Sequence, residues 1–291
     1  DIRAWSVKSN ANFSYMFYTA SKMNGAPYLA PNTPTSSWFV IPDNTAPTLS
    51  GVSLASNNTT NTLAKPNDDV TLTFTASEAI GTPVVTFQSG GSAINDGSIV
   101  YGNISDNTWT AVYTANANDT AGPVTFRIAF SDTAGNAGTA VTTTTDSSSV
   151  AVVIDSELPT LLSSTPSDGS RAVKLDQNIV LKFSEAVTAG SGKINLFDGA
   201  DRLVEAFTVS PSIISGATVT LNPINNLKPD NSYYIQIPST AFTDAAGNNY
   251  AGIINKTGFD FTTRKKTPKE AFTEVKDDIG TDMKANTTKQ I

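Results

Sequence analysis

The sequence has no cysteine and no histidine among its 291 residues. Without cysteine there is no disulfide staple, no thiolate nucleophile and no Cys-based zinc site. Without histidine every Ser-His-Asp or Cys-His arrangement is excluded. Charge is sparse as well: 15% of residues are Asp, Glu, Lys or Arg. The balance is acidic at −7, with a pI near 4.6. It is also uneven. Residues 264–291 hold seven basic and five acidic residues, and the remainder holds 12 basic and 21 acidic. Such a chain lacks the basic patches that neutralise phosphate, so nucleic acid is not an expected partner. No apolar run reaches the roughly 20 residues a membrane helix needs, and no signal peptide opens the chain. The polarity rests on Ser, Thr, Asn and Gly. An acidic, cysteine-free, Thr/Ser-rich body suits a secreted or surface-exposed bacterial protein, cut from a longer polypeptide.

An internal repeat organises what is present. Asp43-Asn44-Thr45-Ala46-Pro47-Thr48-Leu49 returns as Asp155-Ser156-Glu157-Leu158-Pro159-Thr160-Leu161, displaced by 112. Ser77-Glu78-Ala79-Ile80 returns as Ser184-Glu185-Ala186-Val187, displaced by 107. Phe130-Ser131-Asp132-Thr133-Ala134-Gly135-Asn136 returns as Phe242-Thr243-Asp244-Ala245-Ala246-Gly247-Asn248, again displaced by 112. Three matches in one order at nearly one offset mark a duplicated unit, over 43–154 and 155–263. Both copies read as all-β. Val70, Leu72 and Phe74 alternate with threonines; Val124, Phe126, Ile128 and Phe130 alternate in a later strand; Ile179, Leu181, Phe183 and Tyr233, Ile235, Ile237 repeat the pattern. A period of two gives each strand one buried and one wet face. Turn signals recur between them, as in Ser89-Gly90-Gly91, Asn95-Asp96-Gly97, Ser167-Asp168-Gly169 and Lys228-Pro229-Asp230. The expectation is two tandem β-sandwiches with no helix inside either.

Both copies resemble bacterial immunoglobulin-like domains. The second is similar to the S-layer-type Ig-like family along its whole length. The resemblance runs through Pro166-x-Asp168-Gly169, Val173, Ile179-x-Leu181-x-Phe183-Ser184-Glu185 and Asn226-Leu227-Lys228-Pro229. It continues in Tyr233-Tyr234, Asp244-x-Ala246-Gly247-Asn248 and Phe259-x-Phe261-Thr262-Thr263. The first copy lacks the early Pro-x-Asp-Gly turn and carries a Thr/Ser stretch at 142–149. The resemblance implies tandem spacer or adhesion modules of a surface protein, without catalytic machinery. Residues 1–42 differ. Asp1-Ile2-x-x-Trp5-x-Val7 and Phe13-Ser14-Tyr15-Met16-Phe17 resemble one unit of the BspA-like leucine-rich surface repeat, which departs at Asn10. One solenoid unit cannot bury its own apolar face. Residues 1–25 therefore read as the degraded end of a repeat array, or else as an arm packed on the first sandwich. Pro27, Pro31, Pro34 and Pro42 mark a linker over 26–42. At the other end, Thr267-Pro268-Lys269-Glu270 is a capping box followed by Ala271, Phe272, Val275 and Ile279 at helical spacing. Residues 264–291 read as a helical tail, or as a disordered polar one.

The repeated acids are the one constellation that could bind a ligand. Asp43 and Asp132 are 89 residues apart, as are Asp155 and Asp244. In an Ig-like topology the first strand starts at the pole where the linker enters, and the second and sixth strands end there. Asp43, Glu78 and Asp132 should meet at the first pole, and Asp155, Glu185 and Asp244 at the junction between the copies. Clustered carboxylates repel unless a proton or cation intervenes. Ca²⁺ accepts six to eight oxygens in loose geometry, and Asn136 and Asn248 are expected to add carbonyl oxygens. The competing reading needs no metal: Asp in Asp-x-Ala-Gly-Asn makes an Asx turn and Gly takes a positive φ. A glycosidase-like acid pair is disfavoured because the acids occur in both copies, whereas catalysis needs one cleft. Trp38, Phe39 and Trp109 would suit sugar stacking, but Trp109 sits in the alternating run with Ala111 and Tyr113 and reads as core. The expected function is a non-catalytic spacer of a bacterial surface adhesin, joined to other domains of its polypeptide, with its host or surface ligand unknown. The alternative is an accessory glycan-binding module of a secreted enzyme, which an exposed aromatic cluster on one sheet face would favour.

Overall fold

The computed structural model describes residues 43–268 except Asp96, Gly97, Asp106 and 147–150. The expected repeat remnant, the Pro-rich linker, Trp38-Phe39 and the helical tail from 269 onward lie outside the described residues.

The first copy contains β1 (Leu49–Ser56), β2 (Leu63–Ala64), β3 (Asp69–Ala76), β4 (Val84–Ser89), β5 (Ser92–Ala93), β6 (Val100–Ser105), β7 (Thr108–Thr114), β8 (Gly122–Ala129) and β9 (Val153–Ile154). The second contains β10 (Leu161–Thr165), β11 (Ser170–Val173), β12 (Ile179–Phe183), β13 (Thr188–Ala189), β14 (Lys193–Asp198), β15 (Leu203–Thr208), β16 (Ile214–Ser215), β17 (Thr218–Leu221), β18 (Ser232–Gln236), β19 (Phe242–Thr243) and β20 (Asp260–Thr263). One 3-10 turn, Pro211–Ile213, is the only helical piece in either copy among the described residues.

Each copy is built on a pair of facing sheets with one strand order, and the second adds a two-stranded ribbon, β13-β19. The orders are β1-β3-β7-β6 against β2-β9-β8-β4-β5, and β10-β12-β17-β16 against β11-β20-β18-β14-β15. The pairings are antiparallel except β2 with β9 and β11 with β20, which are parallel. The opening strand of both copies carries an irregularity near its start, between Ser50 and Ser53 and between Leu161 and Ser163, and the flanking pairs Leu49 with Ala76 and Leu161 with Phe183 are equivalent. Duplication therefore extends to register. In the Thr/Ser stretch at 142–149, the N–H groups of Thr145 and Asp146 donate to the Val52 carbonyl. This covers part of β1, an edge strand that would otherwise be an open template for pairing.

The alternation sorts side chains as the period demands. Val70, Leu72 and Phe74 of β3 are fully buried, while Thr71, Thr73 and Thr75 are half-buried on the outer face. Ile179, Leu181 and Phe183 of β12 do the same in the second copy. Two cores form, one within 52–154 and one within 173–261, and they share no residue. Ala111 and Tyr113 are core; Trp109 is only half-buried and packs on the core's margin. Phe183, Phe242 and Tyr250 pack edge-to-face or tilted with centroids 5.1–6.5 Å apart at the upper end of the second core. This aromatic cluster sets the base on which the loop after β19 rests.

Candidate cation site and module junction

Strand directions carry the acids to one end of each sandwich. The chain enters at Asp43 before β1, β3 ends just before Ser77-Glu78, and β8 runs up to Asp132. One carboxylate oxygen from each of Asp43, Glu78 and Asp132 lies within 4.8 Å of the others. Asp155, Glu185 and Asp244 form the equivalent group with the same separation limit. The six residues are thus brought together in the two groups that the spacing predicts.

The local hydrogen bonds are copied between the poles. Ser77 pins the incoming chain from both sides: its N–H donates to the Thr48 carbonyl (2.9 Å), and its Oγ accepts from the Thr48 N–H (3.0 Å). Ser184 does the same to Thr160, at 2.8 and 3.0 Å. In the Asp-x-Ala-Gly-Asn loop, Asn136 donates its N–H to Asp132 Oδ1 and its Nδ2 to Asp132 Oδ2, both at 2.7 Å. Asn248 donates to Asp244 Oδ1 and Oδ2 in the same way, both at 2.8 Å. Gly135 and Gly247 take φ of +97° and +85°, the left-handed region that glycine enters at no steric cost.

The asparagines depart from expectation. Each was expected to offer a carbonyl oxygen to a cation. Instead each turns its amide nitrogen inward, donating also to the carbonyl of the linker aspartate: Asn136 to Asp43 at 2.9 Å and Asn248 to Asp155 at 3.0 Å. Flipping the amide would set its oxygen against a carbonyl and a carboxylate, which repel it. The asparagines are clamps that tie the linker to the loop, and the turn chemistry of the metal-free reading operates here.

Electrostatics separates the acids. Burial raises the pKa of Glu185, and the charges of Asp244, Asp155 and Glu157 raise it further. Burial and Asp244 raise that of Asp155 too, against the Glu157 N–H, which lowers it. Glu78 is raised by desolvation and then by Asp43 and Asp132. Asp132 goes the other way: burial pushes it up, but the Asn136 bonds and the N–H groups of Gly135 and Ala134 more than offset this. Glu157 was missed in the sequence because its counterpart, Thr45, is uncharged. It gives the junction a fourth acid that the first pole lacks.

The donor set fits a hard cation. It is all carboxylate oxygen, with no nitrogen or sulfur ligand, and that suits Ca²⁺ over softer transition ions. The sugar-platform features fit less well. Phe197 and Tyr234 stack with centroids 5.1 Å apart on the outer face of the second copy. Tyr234 is only 7% exposed, with the Lys256 ammonium 5.7 Å over its ring and its hydroxyl donating to Asp201 at 3.0 Å. No open aromatic shelf results there.

A second group of residues joins the copies directly. Asn58, in the loop after β1, donates its Nδ2 to Asp68 Oδ2 at 2.6 Å and to the Ala246 carbonyl at 2.8 Å. Lys65 is held by Asp68 at 3.5 Å, and its stem lies over Gly247, where a Cβ would stand 3.4 Å from Lys65 Cε. A polar cleft of about 390 Å³ runs along this seam, lined by Asn57, Thr59, Thr60, Thr188 and Thr243 among others.

Residues 155–263 match the bacterial Ig-like domain family. No curated protein matches the chain. Among solved structures, the I-band fragment I67-I69 from titin is 16% identical, with 76% of this chain covered and a TM-score of 0.36. The chain spans 66% of that fragment, under two thirds of its length. The IG1+IG2 pair of DIP-gamma is 13% identical over 76% of this chain and 98% of its own, with a TM-score of 0.33. The described residues are all-β, and the chain is a tandem of Ig-like β-sandwiches whose 155–263 segment is similar to the bacterial Ig-like domain family.

Proposed function

We propose that residues 43–263 are a non-catalytic spacer of a bacterial surface adhesin, working outside the cell to hold a binding region at a distance. The observation that carries this reading is the pinned junction. The linker after β9 is only a few residues long. It is fastened by Ser184 at Thr160 and by Asn248 at Asp155, and Asn58 bonds one copy to the next. A chain with so little slack transmits force and direction instead of flexing. The repeated acids support structure over chemistry, since each copy has the same set at the same pole.

In this reading Asp155, Glu185, Asp244 and Glu157 hold Ca²⁺ at the junction, and Asp43, Glu78 and Asp132 hold it at the first pole. The ion supplies the positive charge that offsets carboxylate repulsion and cross-links linker to loop. The second copy is of the S-layer type, and residues 1–25 end a BspA-like leucine-rich repeat that belongs to the projected region. Binding of the isolated segment to a glycan array tests the spacer reading: a spacer binds none of the glycans, and selective saturable binding would replace it with the accessory-module reading.

A further inference from the structure

The second copy's Asp-Ala-Ala-Gly-Asn loop has a close relative in the first copy, yet the two loops differ in burial. Ala134, at the first pole, is exposed, whereas Ala246 is 2% exposed. The difference is the underside of the first copy. Asn58 bonds the Ala246 carbonyl, and the Lys65 stem covers Gly247. Asn58 is itself fixed before it reaches across. Its N–H donates to Ser56 Oγ at 3.1 Å, its Oδ1 accepts from the Thr60 N–H at 3.0 Å, and its Nδ2 also donates to Asp68. Asp68 in turn accepts the Lys65 N–H at 2.9 Å and pairs with its ammonium. Five residues between the end of β1 and the start of β3, Ser56, Asn58, Thr60, Lys65 and Asp68, thus form a bracket with one free donor direction, aimed at the second copy's loop.

We infer that Asn58 is the residue that sets the angle between the two sandwiches, by presenting an amide N–H locked by Asp68 to the Ala246 carbonyl. This deepens the spacer reading and rests on it. A cation on Asp155, Glu185 and Asp244 would tie the linker to the start of this loop. The bracket takes hold of the same loop two residues further on, at the Ala246 carbonyl, from a segment outside the linker. The linker and the bracket are two attachments, and two attachments define an orientation, which one cannot do.

The absence of cysteine allows a direct test in the full chain. Spin labels at cysteines introduced for the exposed residues Thr86 and Thr208 report one inter-copy distance distribution. Asn58→Asp keeps the acceptor for the Thr60 N–H and removes both Nδ2 donors. Asn58→Ala removes the acceptor as well. The wild type is expected to give a narrow distribution, and both variants one at least about twofold broader, with far-ultraviolet circular dichroism unchanged. The measurement is made in Ca²⁺ and in chelator. A broad wild-type distribution in both would overturn the spacer reading and the bracket with it. A narrow wild type with an equally narrow Asn58→Asp overturns the bracket alone. Broadening in Asn58→Ala but not in Asn58→Asp also overturns it, by assigning the effect to the Thr60 turn.

Discussion

Replacing Asn248 by alanine removes one amide that serves two acceptors at once. Its Nδ2 donates to the Asp155 carbonyl at 3.0 Å and to Asp244 Oδ2 at 2.8 Å, while the main-chain N–H to Asp244 Oδ1 stays. Asp244 is 2% exposed, so water cannot easily replace the lost donor. A hydrogen bond to a charged group contributes about 1.5–3 kcal/mol and a neutral one about 1 kcal/mol. The expected loss is about 2–4 kcal/mol in the second copy, equivalent to a fall in Tm of about 8–16 °C for a unit of this size. The same change at Asn136 is expected to cost less, about 1–2 kcal/mol, because Asn136 is half-buried and Asp43 is exposed. Scanning calorimetry of the full chain in chelator, with each copy's transition fitted separately, measures both. A cost below about 0.5 kcal/mol for Asn248→Ala, or equal costs at the two sites, would refute the clamp assignment.

Other consequences follow from the same geometry. In chelator, Glu185 has a raised pKa in the folded state through burial and the charges of Asp244, Asp155 and Glu157. Its contribution to stability is therefore full below its ordinary value of 4.5 and is lost as pH rises through the folded value. Glu185→Gln should exceed wild type in stability at neutral pH and converge with it in acid; urea titrations across pH that show a constant difference would disprove this. Asp132 has the opposite sign, since its lowered pKa gives stability that is lost as pH falls through its folded value. Leu181→Ala, in a fully buried position of the second core, should cost about 2–5 kcal/mol in the second transition and leave the first unchanged. The Tyr113 hydroxyl is buried without a protein partner among the described residues. Tyr113→Phe is therefore expected to leave the first copy as stable or to raise its stability by about 1 kcal/mol, and a clear loss in urea unfolding would show a missed partner. Glu157→Gln should weaken Ca²⁺ at the junction several-fold and leave the first pole untouched, read by calorimetric titration.

The fold was legible because its signals are local and doubled. Val70, Leu72 and Phe74 and their counterparts Ile179, Leu181 and Phe183 write the sheet period directly, and all six are buried as the period requires. The convergence of the acids was legible because topology, once recognised, dictates which strand ends meet. The polarity of Asn136 and Asn248 was not, since a side-chain amide offers an oxygen and a nitrogen and only the surrounding acceptors decide which faces inward. The role of Ser77 and Ser184 was hidden in the same way, because a hydroxyl beside a glutamate has no spacing that announces a linker clasp. Asn58, Asp68 and Lys65 left no trace at all. The Ala246 carbonyl that Asn58 reaches is 188 residues away in the other copy, and contact between copies has no periodicity to read.

Calorimetric titration of the chelator-treated chain with Ca²⁺ bears most directly on the stiffened-tandem account. It should give one binding event at the junction, abolished by Glu185→Gln, and one at the first pole, abolished by Glu78→Gln. Each event should raise the melting temperature of its own copy, as expected for a ligand that binds only the folded state. No heat on titration, with melting curves that superimpose in Ca²⁺ and chelator, would contradict it.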